Sequence, residues 1–458
     1  MKDIYLLNYS VKGIKTLDQL VTLSFYKKTI SADPDTREYN IKGIYGMNGS
    51  GKSAIISSVE ILRNLLVDSG YLNNPIAQKN LDAMINKKTG RLFIEADYMV
   101  KAEAVLMIFR YSVTLEKDIS GKFTISHECL SAKKAASKSE SMEILFEVTG
   151  GEISAISERA EEDDFSSNIV NKTMNLLETA SMSALFYEKF LLPEIRNLKE
   201  HKGIIWAYLC LLYLFGKKLH VYLDQSDDHR SYVPKSSLEG YDDKEKYKDE
   251  IDTLLNSLTE MNNDYLNVIS VRENVVSKSL YKDFEKYIAK LYEFLHIFKP
   301  DLQGIEIDKK ENRDLWVCDL VMVYESYKIH AEYESTGIKK LIKLFAYLKE
   351  MVEGGIVFID EFDSNLHDVY LCALLEYLME YGEGQLCFTT HNVGPMDVLR
   401  QRKKSIDFLT KNNRIYSWKT NGNYSPSRLY RNGMIEGSPF NVDSIDFIGV
   451  FGLGGEDE

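Results

Sequence analysis

Apolar residues recur along this chain in two rhythms, three-to-four apart and two apart, and the switches between them mark its elements. Ile4 to Leu7, and then Val21, Leu23 and Phe25 alternating with polar neighbours, predict two strands. A polar loop over Ser31–Glu38 leads into a third short strand, Ile41–Tyr45. Ile55, Val59, Leu62 and Leu66 then form one stripe on a helix running from Ser53 to Leu66. Leu92–Tyr98, Val105–Glu116, Phe123–Ile125 and Ile144–Val148 read as an antiparallel patch, with the Lys/Ser/Ala-rich Ser131–Ser141 as a solvated loop. From about residue 165 to 300 the pattern is largely helical.

Within that helical stretch, Ile204–Phe215 is apolar on every side but too short to cross a bilayer, so it predicts a buried helix. The acidic Glu158–Asp164 reads as a surface segment, and Asp224–Glu250, dense in Asp, Lys and Ser, as an exposed linker. Two sets, Ile251, Leu254, Leu258, Met261, Tyr265, Val268 and Phe284, Ile288, Leu291, Leu295, Phe298, have coiled-coil-like spacing. Each is shorter than a secure coiled coil, so an amphipathic hairpin packed on the body fits equally. Leu302–Ile307 and Trp316–Tyr324 return the chain to strands. Tyr333–Lys340 then precedes a helix carrying Leu341, Leu344, Phe345 and Leu348.

The run Gly355–Ile359 is uniformly apolar, as expected of a parallel strand covered on both faces. It ends in Asp360 and Glu361, followed by a helix with Leu371, Leu374, Leu375 and Leu378 on its buried side and a strand Gln385–Thr389 that leads into His391.

The chemistry concentrates at a few of these junctions. Gly46-Met47-Asn48-Gly49-Ser50-Gly51-Lys52-Ser53 fits G-x-x-x-x-G-K-[ST] between a strand and a helix, the context a phosphate-binding loop requires. Glycines let the backbone approach a triphosphate, and the helix N-terminus supplies N–H donors and a positive dipole end. Lys52 would reach the β- and γ-phosphates of ATP, and the Ser53 hydroxyl would ligate Mg²⁺. At the carboxyl end of the Gly355–Ile359 strand, Asp360 can hold Mg²⁺ through water and Glu361 can orient the attacking water. His391, at the end of a neighbouring strand, can reach the γ-phosphate. Ser335 and Gly337 open a helix and make a second anion-binding element. One P-loop leaves this element no phosphate of its own, so it is expected to reach nucleotide held by a second copy.

Composition narrows the partners. A formal charge of −13 argues against a surface that is basic throughout, though a local groove stays open, with Arg400-Gln401-Arg402-Lys403-Lys404 as its best candidate. The five cysteines are scattered singly with no C-x-x-C pair, which points to a reducing, cytoplasmic setting and to no zinc site. The N-terminus turns polar too soon for a signal peptide, and no membrane association is expected.

Taken in order, these elements resemble the ATP-binding-cassette (ABC) ATPases that are not transporters, the group holding the chromosome-maintenance, recombination-mediator and overcoming-lysogenisation-defect families. The resemblance covers about residues 1–115 and 325–452. Glu334-Ser335-Thr336-Gly337, Phe358-Ile359-Asp360-Glu361-Phe362-Asp363-Ser364-Asn365-Leu366-His367, Phe388-Thr389-Thr390-His391-Asn392 and Phe447–Gly452 look like the branch common in bacterial anti-phage systems. It implies an α/β ABC-ATPase head, a P-loop sheet with an antiparallel β patch, and an inserted helical region. The expected divisions are an N-terminal lobe over 1–115, an inserted β/helical region over 116–324 and a C-terminal lobe over 325–458.

The resemblance further assigns Gly46–Ser53 to ATP, Ser335 and Gly337 to the signature that contacts the opposite protomer's γ-phosphate, and Ser53 and Asp360 to Mg²⁺. Glu361 becomes the general base, Ser364–His367 the D-loop, and His391 the switch histidine. There is no Cys-x-x-Cys hook, no long coiled coil, and too little chain after His391 for the nuclease domain of overcoming-lysogenisation-defect enzymes. Asp443, Asp446 and Glu456-Asp457-Glu458 are acids without a supporting fold. The chain therefore looks most like the ATPase of the PARIS anti-phage system, with the Septu ATPase a near competitor. That resemblance implies a homo-oligomer, dimeric or higher, that holds a separate toprim-type nuclease effector and releases it on sensing a phage-encoded trigger. The alternative is a DNA-processing ATPase of the recombination-mediator or chromosome-maintenance type, whose heads clamp duplex DNA.

Overall fold

A computed structural model describes residues 4–27, 29–30, 34–102, 105–135, 141–157, 164–192, 204–223, 268–419 and 424–439 of the chain. Its strands, in order, are β1 Ile4–Lys12, β2 Val21–Ser24, β3 Ile41–Tyr45, β4 Arg91–Ala102, β5 Val105–Lys117, β6 Phe123–Lys134, β7 Glu143–Thr149, β8 Glu152–Ile156, β9 Leu219–Tyr222, β10 Asn274–Ser277, β11 Gly304–Asn312, β12 Leu315–Val323, β13 Lys328–His330, β14 Ile356–Ile359, β15 Gln385–Thr389, β16 Ile406–Leu409 and β17 Ile415–Ser417.

Six short strands form a sheet in the order β17-β16-β3-β15-β14-β9, parallel except for β17. Every residue of β3, β14, β15 and β9 is buried, as expected of strands covered on both faces. Seven further strands form an antiparallel sheet, β2-β1-β4-β5-β6-β7-β8. The chain is thus α/β, with a P-loop sheet and an antiparallel patch, as the two rhythms predict.

The P-loop helix, Lys52–Val67, packs between the two sheets with Ile55, Val59, Leu62 and Leu66 fully buried. Beside it lies the helix Ile204–Lys218, whose Gly216 sits so close that an added Cβ would stand 2.6 Å from the Leu66 Cβ. On its other side Phe215 stacks on Tyr98 of β4, with ring centroids 4.2 Å apart. A helix packed on one side against another helix and on the other against a sheet has no solvent face, which accounts for its all-round apolar sequence.

Three features depart from the sequence expectation. Leu219–Tyr222 lies inside the stretch expected as an insertion, yet as β9 it pairs with β14 and closes one edge of the P-loop sheet. β5, expected as Val105–Glu116 and found as Val105–Lys117, runs without a break across the lobe boundary expected between residues 115 and 116. Ser131–Lys134, expected in a solvated loop, extend β6, with Ser131 and Ala132 buried against the neighbouring strands. A Ser/Ala/Lys composition reads as loop, but the ladder and the burial of Ser131 and Ala132 override it.

The helix Tyr281–Phe298 buries Phe284, Ile288, Leu291 and Leu295 against a small sheet, β10-β12-β11 with β13 on β12, so its stripe is a packing face rather than a coiled-coil seam. Most of the companion stripe, from Ile251 to Tyr265, lies outside the described residues, as do 224–250, nearly all of Glu158–Asp164 and the acids and closing motif after 440.

Candidate functional site

β3, β15 and β14 are adjacent and parallel, so the three segments that leave their carboxyl ends emerge side by side. These are the P-loop after Tyr45, Thr390-His391 after β15, and Asp360-Glu361 after β14. Residues more than three hundred positions apart thereby share one rim.

The loop has the shape the motif requires. Gly46 is hemmed in: a Cβ there would stand 2.4 Å from the Leu409 carbonyl oxygen and 2.9 Å from Ser50 Oγ. Gly49 and Gly51 adopt φ of +76° and +105°, in the left-handed region that favours glycine. A Cβ on Gly51 would also collide with Leu17 at 2.4 Å, whereas Gly49 faces open space with the exposed Asn48 at the crown. Ser50 turns inward, with its hydroxyl buried without a hydrogen-bond partner and its N–H donated to the Met47 carbonyl at 3.2 Å.

The Lys52 ammonium donates to the Gly46 carbonyl at 2.7 Å and the Met47 carbonyl at 3.2 Å, so it already lies along the cradle. Burial lowers its pKa, opposed by the charges of Asp360, Glu361 and Asp363. Burial also lowers the pKa of His391, reinforced by Lys52 and opposed by Asp363, Glu361 and Asp360. The Lys52 ammonium, three carboxylates and the imidazole thus lie within electrostatic reach of one another, inside one site.

Thr389 fixes the carboxylates. Its hydroxyl donates to Asp360 Oδ1 at 2.5 Å and accepts from the Glu361 N–H at 2.8 Å, while its carbonyl accepts from the Phe362 N–H at 3.0 Å. Glu361 stands at φ +48°, unusual for a residue with a Cβ, and its side chain is exposed at the rim. The Ser53 hydroxyl and the Asp360 carboxylate are hard oxygen donors suited to Mg²⁺, and a loop with two glycines at positive φ opening a helix suits a phosphate chain. The residues therefore fit MgATP.

Ser335 and Gly337 lie elsewhere, at the start of the helix Thr336–Val352. Ser335 and Thr336 are exposed, Gly337 is half-buried, and the Ser335 hydroxyl accepts from the Ile338 N–H at 3.4 Å as an N-cap. Gly337 abuts Asn365, where a Cβ would meet the Asn365 carbonyl oxygen at 2.5 Å, and Thr336 Oγ1 donates to Asn365 Oδ1 at 3.2 Å. The Ser335–Gly337 turn is thus seated on Asn365 of its own chain, with Ser335 and Thr336 exposed.

Three contributors escaped the sequence reading. Thr389 stands in the sequence as the end of a strand and inside a recognised run, without a role of its own. Asp363, whose carboxylate accepts from the His391 N–H at 3.4 Å, lay inside a recognised run without a role. Lys340 is 3% exposed, and its ammonium donates to the Glu361 carbonyl and the Ser364 hydroxyl, tying the signature helix to the turn after β14. A lysine five residues after a helix-capping serine gave no signal of this.

The basic turn at 400–404 is largely engaged within the chain. Arg402 donates to the Met379 carbonyl at 2.8 Å, Lys403 pairs with Glu38 at 2.7 Å, and Lys404 donates to Ser24 Oγ and the Tyr26 carbonyl. No described helix is long and apolar enough to cross a membrane.

Comparison with known proteins agrees with the head. Residues 215–397, which include the signature, Asp360-Glu361 and His391, match the family described as an AAA domain, putative AbiEii toxin, Type IV TA system. No curated protein matches the chain. Among 78 matching solved chains is one described as the recombination mediator protein RecF-ATPrS in the RecFOR pathway, at 12% identity and a TM-score of 0.37, covering 91% of this chain and 99% of that one. A likeness that loose says nothing of what this chain does. The P-loop between a parallel strand and a helix, with the antiparallel sheet beside it, gives the chain the α/β fold of a P-loop ATPase head.

Proposed function

We propose that the chain is a Mg²⁺-dependent ATPase that works as a homo-oligomer, its heads closing on ATP and reopening on hydrolysis. The observation that carries this is the meeting of Lys52, Asp360, Glu361 and His391 at the ends of three adjacent strands, with Ser335 and Thr336 left exposed. An exposed, serine-capped helix start is free to complete the pocket of a second copy.

Mg²⁺, held through Ser53 and Asp360, would neutralise charge on the phosphate chain. The chain's own residues do the rest. Lys52 and the loop N–H groups orient the triphosphate, the Glu361 carboxylate takes a proton from the attacking water, and neutral His391 accepts or donates a hydrogen bond at the γ-phosphate end. Thr389 holds Asp360 and Glu361 in register. Lys340 keeps the turn between them and the D-loop closed.

We read the ATPase as the sensor and scaffold of a bacterial anti-phage system that restrains a separate toxic effector, a toprim-type nuclease, until a phage-encoded trigger arrives. The matched family's description, a putative AbiEii toxin of a Type IV TA system, supports a place in a toxin-bearing system. The DNA-clamping alternative loses support where Arg402, Lys403 and Lys404 are spent on contacts within the chain.

Two substitutions test the engine. Lys52→Ala removes nucleotide binding, read with a fluorescent ATP analogue. Glu361→Gln keeps ATP bound and traps the closed assembly, so light scattering should show an ATP-dependent rise in mass that does not decay. If Glu361→Gln hydrolyses ATP at the normal rate, the base is another residue. Co-purification with the product of a neighbouring gene tests the scaffold role, and no bound protein with or without ATP would count against it.

A further inference from the structure

The P-loop is gripped at both ends by segments that lie far apart in the chain. At its start, a Cβ on Gly46 would stand 2.4 Å from the Leu409 carbonyl oxygen, so the last residue of β16 closes on the first glycine. At its end, a Cβ on Gly51 would stand 2.4 Å from Leu17 Cδ2 and 3.1 Å from Thr16 Oγ1, so the turn after β1 closes on the third.

The two jaws join through one side chain. Asn413 stands in the turn between β16 and β17, 5% exposed and at φ +58°. Its amide oxygen accepts from the Asp18 N–H at 2.9 Å and the Gln19 N–H at 3.1 Å, and its amide nitrogen donates to the Thr16 carbonyl at 3.3 Å. All three partners are backbone groups of the jaw that meets Gly51, and only an amide both accepts and donates in this way. Asn413 is itself held: its N–H donates to the Thr410 carbonyl at 3.1 Å, and the Arg414 N–H donates to Thr410 Oγ1 at 3.2 Å. Positive φ at a residue with a Cβ recurs on both sides of the P-loop, at Asn413 and at Lys15 with φ +46°. The root of the turn after β1 is secured separately. The Lys15 N–H donates to the Met84 carbonyl at 2.6 Å and Asn86 Nδ2 to the Lys15 carbonyl at 2.6 Å, so losing the Asn413 amide loosens this jaw without unfolding it.

We propose that Asn413 is a positioning residue for nucleotide: by tying the jaw at Gly51 to the jaw at Gly46, it holds the P-loop ready to take a triphosphate. Without the tie, binding must order the loop as well as fill it, and affinity falls by that cost. The loop grips the phosphates alike before and during hydrolysis, so the loss falls on KM and not on kcat. The inference rests on the reading of residues 46–53 as the nucleotide site.

Asn413→Gly keeps the positive φ and deletes the amide. A fluorescent ATP analogue should bind this variant about tenfold more weakly, and KM for ATP should rise by a similar factor. At saturating ATP, kcat should stay within about twofold, with melting curves confirming the fold. Asn413→Ala, which adds a strained backbone to the same loss, should bind no more tightly than the glycine variant. Full affinity in Asn413→Gly beside weak binding in Asn413→Ala would overturn the role of the amide and leave only a backbone requirement. A fall in kcat with KM unchanged would also overturn the proposal, because it would place Asn413 in the chemistry rather than in binding. Lys52→Ala separates the two readings. If it binds the analogue as tightly as the unsubstituted chain, the nucleotide site is elsewhere and this inference fails with it. If Lys52→Ala abolishes binding and Asn413→Gly leaves it untouched, the positioning role alone is overturned.

Discussion

The Thr389 hydroxyl faces two acidic residues at once, donating to Asp360 Oδ1 and accepting from the Glu361 N–H. It holds the proposed metal ligand at one distance from the proposed base. A hydrogen bond to a charged group is worth about 1.5–3 kcal/mol. Thr389→Val removes it while keeping the branched shape, so kcat should fall about ten- to a hundredfold. The P-loop itself is untouched, so nucleotide affinity should change little. Steady-state kinetics beside fluorescent-nucleotide titration checks this, and an unchanged kcat would mean that Asp360 is held by other contacts. The P-loop glycines and Lys52 could be read from their spacing because each acts within eight residues of the others. Thr389 could not, because its partners are 28 and 29 residues away and are brought to it only when β14 and β15 pair.

At the scale of elements, the signature helix and the D-loop behave as one block. Gly337 sits against Asn365 so closely that a methyl group would stand 2.5 Å from the Asn365 carbonyl oxygen, a backbone atom with no room to yield. Overpacking of this sort costs about 1–3 kcal/mol. Gly337→Ala should therefore lower the melting temperature modestly and push the two segments apart, reducing turnover while monomer affinity for nucleotide stays as it was. Equal loss of affinity and turnover would show that the block also shapes the P-loop. Of the strands that carry the rim, β14 announces itself by an uninterrupted apolar run and β3 by the glycine-rich motif that follows it. β9 does not, because Leu219 follows the helix Ile204–Lys218 with no intervening turn residue, and four residues are too few to display a period. Its membership in the P-loop sheet follows from pairing with β14, a partner some 140 residues away.

Across the whole molecule, a few buried polar groups join elements that local pattern cannot connect. The Gln385 amide exchanges two hydrogen bonds with the backbone of Leu6, at 2.6 and 3.0 Å, tying the P-loop sheet to the antiparallel one where β1 is bulged. Glu128 plays the corresponding part between the antiparallel sheet and the P-loop helix. Its fully buried carboxyl accepts from Tyr111 Oη at 2.9 Å and from the Met182 N–H at 3.0 Å. Met182 follows Ser181, whose hydroxyl donates to the Leu65 carbonyl of the P-loop helix at 2.6 Å. Burial pushes the Glu128 carboxyl up to about 7, partly offset by these two donors. A folded-state pKa above the unfolded one means that the native chain holds this proton more tightly. The stabilisation is therefore complete below the unfolded value of about 4.5 and is lost as the pH rises through about 7. The full swing is on the order of 3 kcal/mol. Glu128→Gln removes the ionisation and keeps an oxygen to accept from Tyr111 and Met182, so it should melt higher than the unsubstituted chain at pH 8, with the gap closing toward pH 4.5. Thermal denaturation across that range measures it, and a gap of the same size at both ends would mean that Glu128 is not the group that titrates.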